Sequence, residues 1–275
     1  MDNRGALRSF LSERAVDCVL AWADQADAMH RFQVSCADTE EAALEAGILP
    51  ARYRRNQRMI STAQQLTLFR STVAVVGCGG LGGFVIEELA RLGVGHLVAI
   101  DPDTFEEHNL NRQIFSSPAT LGRNKALVAR EHIAAIHPGV EVAPLQAAFS
   151  REQAADMLTG VSVVVDALDS VPDRVALSEA CEALQLPLVH GAIAGWYGYV
   201  ATMLPGDRTL QHIYSRVTSR RGIEAQLGNP AFTPAVVASL EVAEVCKILL
   251  GVGSLLRHQL LCVNLLDMEI ENIRL

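Results

Sequence analysis

Four polar residues stand close together in a stretch suited to phosphate chemistry. They are Asn109, Arg112, Gln113 and Lys125, within DPDTFEEHNLNRQIFSSPATLGRNK. Arginine offers a planar fork of hydrogen-bond donors and lysine offers a point charge, so together they suit a triphosphate that must lose pyrophosphate. Nucleotidyl transfer needs charge neutralisation and positioning more than covalent help from the protein. The pattern therefore predicts a site that binds a nucleotide and stabilises a reaction at its phosphates.

A glycine loop lies upstream of these residues, between a predicted strand and a predicted helix. In VVGCGGLGGF, Gly77, Gly79 and Gly82 satisfy the G-x-G-x-x-G spacing. The first glycine permits a tight turn, the second lets the backbone approach a phosphate, and the third allows close helix–strand packing. Asp101 ends the next predicted strand, 19 residues after Gly82, where a carboxylate can bind ribose hydroxyls. These features favour nucleotide binding over a purely structural turn, without deciding which nucleotide.

Short β-branched runs alternate with helical segments from Ser71 onward. The pattern predicts strands at TVAVVG, HLVAID, VEVAPLQAAF, VSVVVDAL and LPLVHGAI, and helices over residues 124–136 and 173–184. This alternation indicates βαβ units. TPAVVASLEVAEVCKILLG predicts a late helix with Thr233 as N-cap and Gly251 just past its end, and LLCVNLLDMEIENIRL predicts closing strands. The predicted fold is α/β, with a Rossmann-like, mostly parallel sheet flanked by helices and with antiparallel C-terminal strands.

The first fifty residues differ from the rest and predict a small helical N-terminal appendage. Apolar residues recur there at helical spacing, and Asp38 and Glu41 predict a capping box before AALEAGIL. Pro50 then closes the segment. The expected organisation is a helical extension over residues 1–50, followed by one nucleotide-binding domain over residues 51–275.

Composition narrows the class of protein. The chain has 275 residues, 50% of them hydrophobic, and a formal net charge of −8, so a folded core is expected and nucleic-acid binding is not. No apolar run approaches the ~20 residues that span a bilayer, and the N-terminus lacks the apolar region of a signal peptide, so no membrane association is expected. The six cysteines form no CxxC pair, which argues against a zinc site or a disulfide framework and favours a reducing cytoplasm.

Several motifs together resemble one known family, the ubiquitin-activating-enzyme-like adenylyltransferases of the MoeB/ThiF/HesA group. The matching segments are GCGGLG at 77–82, DPDTFEEHNLNRQ at 101–113, LGRNKA around Lys125, DALDS at 166–170 and RYRRNQ at 52–57. The resemblance implies an ATP-dependent adenylation domain that uses Mg²⁺ and begins near residue 51. It also implies a partner, a small ubiquitin-like sulfur carrier that ends in Gly-Gly. The carrier's C-terminal glycine would be activated as an acyl-adenylate, with pyrophosphate leaving.

The resemblance further implies roles for individual residues. The glycine loop and the start of its helix would contact the nucleotide through Gly77, Gly79, Gly80, Leu81 and Gly82. The ribose and phosphates would be surrounded by Asp101, Asn109, Arg112, Gln113, Lys125 and Ser170. Asp169 would lie near Mg²⁺ and the reacting carboxylate, although a helix N-cap there is the alternative. Arg55 would reach into the active site of a partner subunit, which implies a homodimer, although a solvated surface arginine is the alternative.

The sequence departs from the family in its cysteines. Many members carry two CxxC pairs that bind zinc, and many carry a cysteine that takes the carrier into a thioester or persulfide, but residues 206–230 contain none. We therefore expect an enzyme that stops at adenylation. Cys78 sits where a helix N-terminus lowers a thiol pKa, but no transfer role is expected for it. Residues 206–230 are the expected path of the carrier tail, where Arg216, Arg220 and Arg221 either pair with the carrier or stay solvated.

Two other functions are compatible with parts of the pattern. An NAD-dependent oxidoreductase would account for the glycines and Asp101, but it would leave Asn109, Arg112 and Lys125 unexplained. A non-catalytic scaffold related to the same family is the other alternative. Such a protein would be expected to have lost its phosphate-binding residues, and Arg112, Lys125 and Asp169 are all present.

Overall fold

The computed structural model describes residues 3–214 and 227–275. Arg216, Arg220 and Arg221, which the sequence places on the expected path of a carrier tail, lie outside these residues. In the part of the chain that is described, no helix combines the length and the apolar character that a membrane span requires.

The N-terminal segment folds into three helices with a small core of their own. The elements are α1 (Asn3–Arg14), β1 (Val19–Leu20), α2 (Trp22–Phe32), α3 (Cys36–Glu45) and β2 (Leu49–Pro50). The strands β1 and β2 pair in parallel, and buried side chains such as Leu11 and Leu20 fill the space between the helices. The predicted helical character of this segment is confirmed, but its predicted cap is wrong. The capping box is formed by Ser35 and Asp38, because the helix begins three residues earlier than the acidic run suggests.

The remaining elements alternate between helices and strands as far as β7, and the later ones come partly in pairs of the same kind. They are α4 (Thr62–Phe69), β3 (Thr72–Val76), α5 (Gly80–Leu92), β4 (His96–Ile100), α6 (Lys125–Ile136), β5 (Glu141–Leu145), α7 (Ala154–Met157), β6 (Val163–Asp166), α8 (Val171–Leu184), β7 (Leu188–Ala194), β8 (Tyr197–Met203), α9 (Thr209–Tyr214), α10 (Phe232–Leu250), β9 (Gln259–Asn264) and β10 (Glu269–Arg274).

Within the described residues, eight of these strands form one sheet in the order β10-β9-β8-β7-β6-β3-β4-β5. The strands from β7 to β5 in that order are parallel, and β8, β9 and β10 add in antiparallel fashion. The central strands read TVAVV and VVVD, which suits strands that helices cover on both faces. The predicted Rossmann-like sheet with antiparallel C-terminal strands is confirmed.

The late helix α10 begins differently from the sequence prediction. Ala231 is its N-cap, and Thr233, which is fully buried, lies inside the first turn. The Thr233 hydroxyl donates to the Gly195 carbonyl oxygen at 2.6 Å. The hydroxyl that the local pattern assigns to capping is therefore used in a contact with the turn between β7 and β8. At the other end, Gly251 has a φ of +63°, and the predicted glycine stop is confirmed.

Candidate nucleotide-binding site

A cavity of about 710 Å³ lies at the carboxyl ends of the central strands. Its floor includes Gly77 after β3, Asp101 after β4 and Ala167 after β6. The chain passes from β3 to β4 and β5 on one side, and then returns to place β6 on the other side of β3, so the strand order reverses at β3. In open α/β sheets, this switch point is where ligands bind. The fold therefore places the predicted motifs around one opening.

The glycine loop is as tight as its spacing predicts. Gly77 has a φ of +94°, and a Cβ atom there would come within 2.6 Å of the Ala167 carbonyl oxygen. A Cβ atom on Gly82 would come within 1.8 Å of the Gly77 carbonyl oxygen. A side chain at Gly82 would push α5 away from the end of β3, and one at Gly77 would collide with the turn that follows β6. The glycines thus bring the N-terminus of α5, with its unpaired N–H groups, to the cavity wall.

Asp101 organises the loop as well as facing the cavity. Its Oδ2 accepts a hydrogen bond from the Cys78 backbone N–H at 2.7 Å, and its Oδ1 accepts one from the Asp103 N–H at 2.8 Å. Burial raises the pKa of Asp101, while the nearby charge of Lys125 and these two N–H groups lower it in part. Each carboxylate oxygen keeps lone pairs, so Asp101 can still accept hydrogen bonds from ribose hydroxyls.

Arg112 and Lys125 face the cavity from different elements. Lys125 is the first residue of α6, and its side chain is only 9% exposed while Nζ donates to Asp103 Oδ2 at 2.9 Å. The side chain of Arg112 lies over Gly80. Its Cγ is 3.5 Å from the position that a Cβ atom on Gly80 would take. Burial lowers the pKa of Arg112, and the charge of Asp169 opposes that effect. Both cations are therefore held where an anionic ligand would replace water.

Gln113 presents a polar group that nothing in the described chain satisfies. Its side chain lies against Gly79, with Nε2 at 3.4 Å from the position of a Cβ atom there. Gln113 Oε1 is buried and has no hydrogen-bond partner in the parts of the chain that are described. A buried unpaired oxygen is costly, so a donor group of a ligand would stabilise it.

The cavity brings together most of the predicted site residues. Those that line it are Gly77, Gly79, Gly80, Leu81, Asp101, Arg112, Gln113, Lys125 and Asp169. Asp169 stands in the turn between β6 and α8. The N-cap of α8 is Ser170, so the structure does not support Asp169 as the cap.

Four predicted residues do not line the cavity: Arg55, Gly82, Asn109 and Ser170. Asn109 is 4% exposed, and its Oδ1 accepts the Glu106 N–H at 2.9 Å. It therefore shapes the turn that carries Arg112. Arg55 is exposed in the turn that follows a short 3₁₀ helix, away from this chain's own cavity.

Sequence reasoning missed several residues that line the cavity. They include Asp103, Phe149, Asp173, Arg174 and Asn229. Asp103 was within reach of the sequence, since it follows Asp101 in a polar stretch. Phe149 and Asn229 carry no local signal, because they come from loops that only the fold brings to the opening.

The donor set fits an anion together with a hard divalent cation. Cations from Arg112 and Lys125 stand beside carboxylates from Asp103, Asp169 and Asp173. No cluster of three or more potential metal ligands is found among the described residues. Mg²⁺ is commonly held by one or two carboxylates together with waters and substrate phosphates, and this arrangement fits that mode.

The cysteine beside the loop is not activated. Cys78 is 1% exposed, and burial raises the pKa of its thiol well above the ordinary value, with the Asp101 charge adding to the effect. The expectation that the helix N-terminus would lower this pKa is wrong, because desolvation of the thiolate outweighs the helix dipole.

Comparisons with known proteins agree with this geometry. The model of the ThiF family matches residues 53–275. The chain is 33% identical over 226 residues to the SAMP-activating enzyme E1 of Haloferax volcanii, covering 81% of this chain and 84% of that protein. It is 34% identical over 226 residues to the sulfur carrier protein adenylyltransferase of Thermus thermophilus, covering 78% of this chain and 83% of that protein.

Solved structures show the same fold. The crystal structure of Escherichia coli MccB with ATP aligns with a TM-score of 0.68 at 19% sequence identity, covering 91% of this chain and 82% of that chain. The family match spans the glycine loop, the polar stretch and the whole sheet. On this evidence the chain belongs to the ThiF family.

Proposed function

We propose that this protein is an ATP-dependent adenylyltransferase. It activates the C-terminal glycine carboxylate of a small ubiquitin-like sulfur carrier as an acyl-adenylate. The observation that carries the proposal is the placement of Arg112 and Lys125 beside the glycine loop, at the switch point of the sheet. The names of the two relatives, one acting on SAMP and one on a sulfur carrier protein, support this class of partner.

Each of the proposed site residues has its own role in the reaction. The carrier carboxylate attacks the α-phosphorus of ATP, the bond to the β-phosphate oxygen breaks, and pyrophosphate leaves. Arg112 and Lys125 offset the negative charge that builds up on the phosphates, and Asp101 accepts hydrogen bonds from the ribose. A cavity of about 710 Å³ lies within the size range of small-molecule sites and holds a nucleotide with the end of a peptide.

Mg²⁺ is part of the proposal. Asp169 would hold it with phosphate oxygens, and Asp103 and Asp173 line the same cavity. When bound, Mg²⁺ neutralises phosphate charge and orients the leaving group. The chain's own contribution is to hold these carboxylates at the opening, together with Arg112 and Lys125.

The proposal extends to assembly and organisation. Residues 51–275 would form the adenylation domain and residues 1–50 a helical N-terminal extension. Arg55 is exposed and lies away from its own cavity, which suits insertion into the site of a second copy in a homodimer. All six cysteines are free, which suits a reducing cytoplasm. With Cys78 buried and its pKa raised, the chemistry would end at the acyl-adenylate.

ATP–pyrophosphate exchange tests the proposal directly. The purified protein is incubated with ATP, Mg²⁺, labelled pyrophosphate and candidate carriers that end in Gly-Gly. Exchange should depend on the carrier, and a carrier truncated by its last two glycines should not support it. ATP binding without exchange for any carrier would favour the scaffold alternative, and binding of NADH in preference to ATP would favour an oxidoreductase.

A further inference from the structure

A buried carboxylate next to the site uses both of its oxygens. Asp166 ends β6 and is fully buried. Its Oδ1 accepts the Leu168 N–H at 3.0 Å, and its Oδ2 lies 2.7 Å from His190 Nδ1. Burial lowers the pKa of His190, although Asp166 opposes this. A carboxylate oxygen accepts hydrogen bonds, so the geometry of the pair directs the Nδ1 proton of the imidazole at Asp166. His190 therefore donates to Asp166 and presents Nε2 as an acceptor.

An arginine binds the carbonyl group of Leu168, whose N–H is bound by Asp166. Arg174, on α8, is 5% exposed, and its Nε and Nη2 donate to the Leu168 carbonyl oxygen at 2.9 and 2.6 Å. Its Nη1 donates to the Tyr214 hydroxyl at 2.8 Å. Leu168 is thus held at its N–H by Asp166 and at its carbonyl by Arg174.

Tyr214 closes the network into a ring. Its hydroxyl lies 3.2 Å from His190 Nε2 and donates its proton there, since that nitrogen is the acceptor. The Tyr199 hydroxyl lies 2.7 Å from the Tyr214 oxygen and donates to it from outside the ring. With these assignments, each hydrogen bond of the set joins one donor to one acceptor. We call the closed set of Asp166, Leu168, Arg174, Tyr214 and His190 the hydrogen-bond ring.

The hydrogen-bond ring acts on the residue that follows Leu168. Asp169 is exposed and lines the cavity, and no hydrogen bond to its carboxylate is found among the described residues. The direction of its backbone is set by Leu168, because hydrogen bonds hold both the N–H and the carbonyl group of Leu168. Burying a charged arginine and a carboxylate gives little net stability compared with apolar packing. A role beyond folding is therefore expected for so complete a network.

We propose that the hydrogen-bond ring positions the Asp169 carboxylate for adenylation, with Arg174, His190 and Tyr214 as positioning residues. This inference rests on the proposed function. It predicts that breaking the ring at Tyr214 lowers the rate of the chemical step while leaving ATP binding in place, because neither Tyr214 nor His190 lines the cavity. Loss of outer contacts of this kind typically costs 10–100-fold in activity.

Two matched substitutions separate this role from plain stability. Tyr214→Phe removes the hydroxyl that joins Arg174 to His190, whereas Tyr199→Phe removes a hydroxyl of the same network and leaves the ring closed. In carrier-dependent pyrophosphate exchange, Tyr214→Phe should lower kcat about 10-fold or more with the KM for ATP unchanged. Tyr199→Phe should stay within about twofold of the wild type. Equal kcat losses in the two variants would overturn the proposal.

A double-mutant cycle tests whether the effect passes through Asp169. If it does, Tyr214→Phe should lower kcat little further in an Asp169→Asn background, since the carboxylate to be positioned is already gone. Fully additive losses would contradict positioning of Asp169.

Crystal structures of the two variants decide the geometry without any assay. The Leu168–Asp169 turn should shift in Tyr214→Phe and stay in place in Tyr199→Phe. An unchanged turn in Tyr214→Phe would overturn the inference, whatever the activity. If the wild type shows no exchange with any carrier, the proposed function fails, and the crystal structures still decide whether the ring sets the position of Asp169.

Discussion

At the scale of single residues, the site depends on charges that the fold holds out of water. Lys125 is the clearest case, with a side chain 9% exposed and one ion pair, to Asp103. Asp103 itself is 65% exposed at its side chain, so this pair spans the boundary between the interior and the opening. A phosphate that enters the cavity would meet a cation already desolvated and directed towards it, which strengthens the interaction.

Replacing Lys125 should therefore affect catalysis far more than stability. Lys125→Ala should lower kcat for pyrophosphate exchange by about 10²–10³-fold, the usual cost of losing one preorganised charge-stabilising donor. The protein should still fold, because Asp103, which loses its ion-pair partner, is exposed to solvent. Arg123→Ala is the matched control, since Arg123 lies two residues away and pairs with Glu131 at the surface. Similar losses in the two variants would remove Lys125 from the proposed site.

At the scale of elements, the glycine loop joins β3 to α5 by close backbone contact. The third glycine does not touch the cavity, yet it has the least room, with the Gly77 carbonyl oxygen 1.8 Å from the place of a Cβ atom. Its role is to let α5 approach the strand, so that the helix N-terminus faces the ligand. The spacing of the motif is thus a requirement of packing as much as of binding.

Two neighbouring glycines of α5 give a direct comparison. Gly82→Ala should lower the melting temperature and weaken ATP binding, because its Cβ would collide with backbone that cannot yield. Gly83→Ala should change the free energy of unfolding by less than about 1 kcal/mol, since its Cβ would come within 3.2 Å of the Ile114 side chain while alanine favours the helix. Thermal unfolding and calorimetric ATP binding measure both. Equal tolerance of the two changes would contradict the packing argument.

At the scale of the whole molecule, the N-terminal extension is tied to the sheet domain by a buried polar chain. The Gly139 N–H donates to His137 Nδ1 at 3.3 Å, so the imidazole proton is on Nε2, which lies 2.7 Å from the Tyr53 hydroxyl. That hydroxyl donates to Glu40 of α3. Burial raises the pKa of Glu40 to about 7, although the hydrogen bond from Tyr53 lowers it in part. Burial lowers the pKa of His137 to about 3.

These shifts predict opposite effects of pH on stability. The contribution of Glu40 is complete below its ordinary pKa of 4.5 and is lost as the pH rises through about 7. The contribution of His137 is complete above its ordinary pKa of 6.5 and is lost as the pH falls towards about 3. Between pH 4.5 and 6.5 the two slopes offset each other, so the wild type should show little dependence on pH from this pair.

Glu40→Gln should reveal the pH dependence that His137 gives to the free energy of unfolding, because the opposing contribution of Glu40 is removed. Relative to the wild type, this variant should gain free energy of unfolding as the pH rises from about 4.5 to 7, by up to about 3 kcal/mol at 1.36 kcal/mol per pKa unit. Denaturant unfolding at several pH values measures the difference. Glu41→Gln, on the same helix but paired with Arg70 at the surface, should give a nearly flat difference. A flat difference for Glu40→Gln would contradict the burial argument.

The proposed homodimer makes a prediction at the same scale. If Arg55 acts in the partner's site, Arg55→Ala and Lys125→Ala should each be inactive alone. Co-expressed, they should form hybrid dimers with one intact site, and random assembly should restore about one quarter of the wild-type activity. Isolated hybrid dimers that stay inactive would show that Arg55 does not act across the interface.

The sequence by itself determined the order of the elements, the glycine loop and most of the residues at the opening. Gly77 and Asp101 could be found because the spacing of their motif follows from strand and helix geometry, and Arg112 and Lys125 because they stand in a polar stretch that suits phosphate and resembles a known family. The N-cap of α10 could not be found in this way, because its expected hydroxyl is used by Gly195, 38 residues away.

Only the tertiary structure decided which polar residues surround the site and which support it. Asn109 belongs to a polar motif yet serves a turn, and the hydrogen-bond ring joins residues that carry no shared motif. Asp166 and His190 are 24 residues apart in sequence, and Arg174 and Tyr214 are 40 apart. They meet because β6 and β7 are neighbours in the sheet and α8 and α9 pack together beside them. Buried polar groups must find partners wherever the fold places them, and local spacing carries no record of those partners.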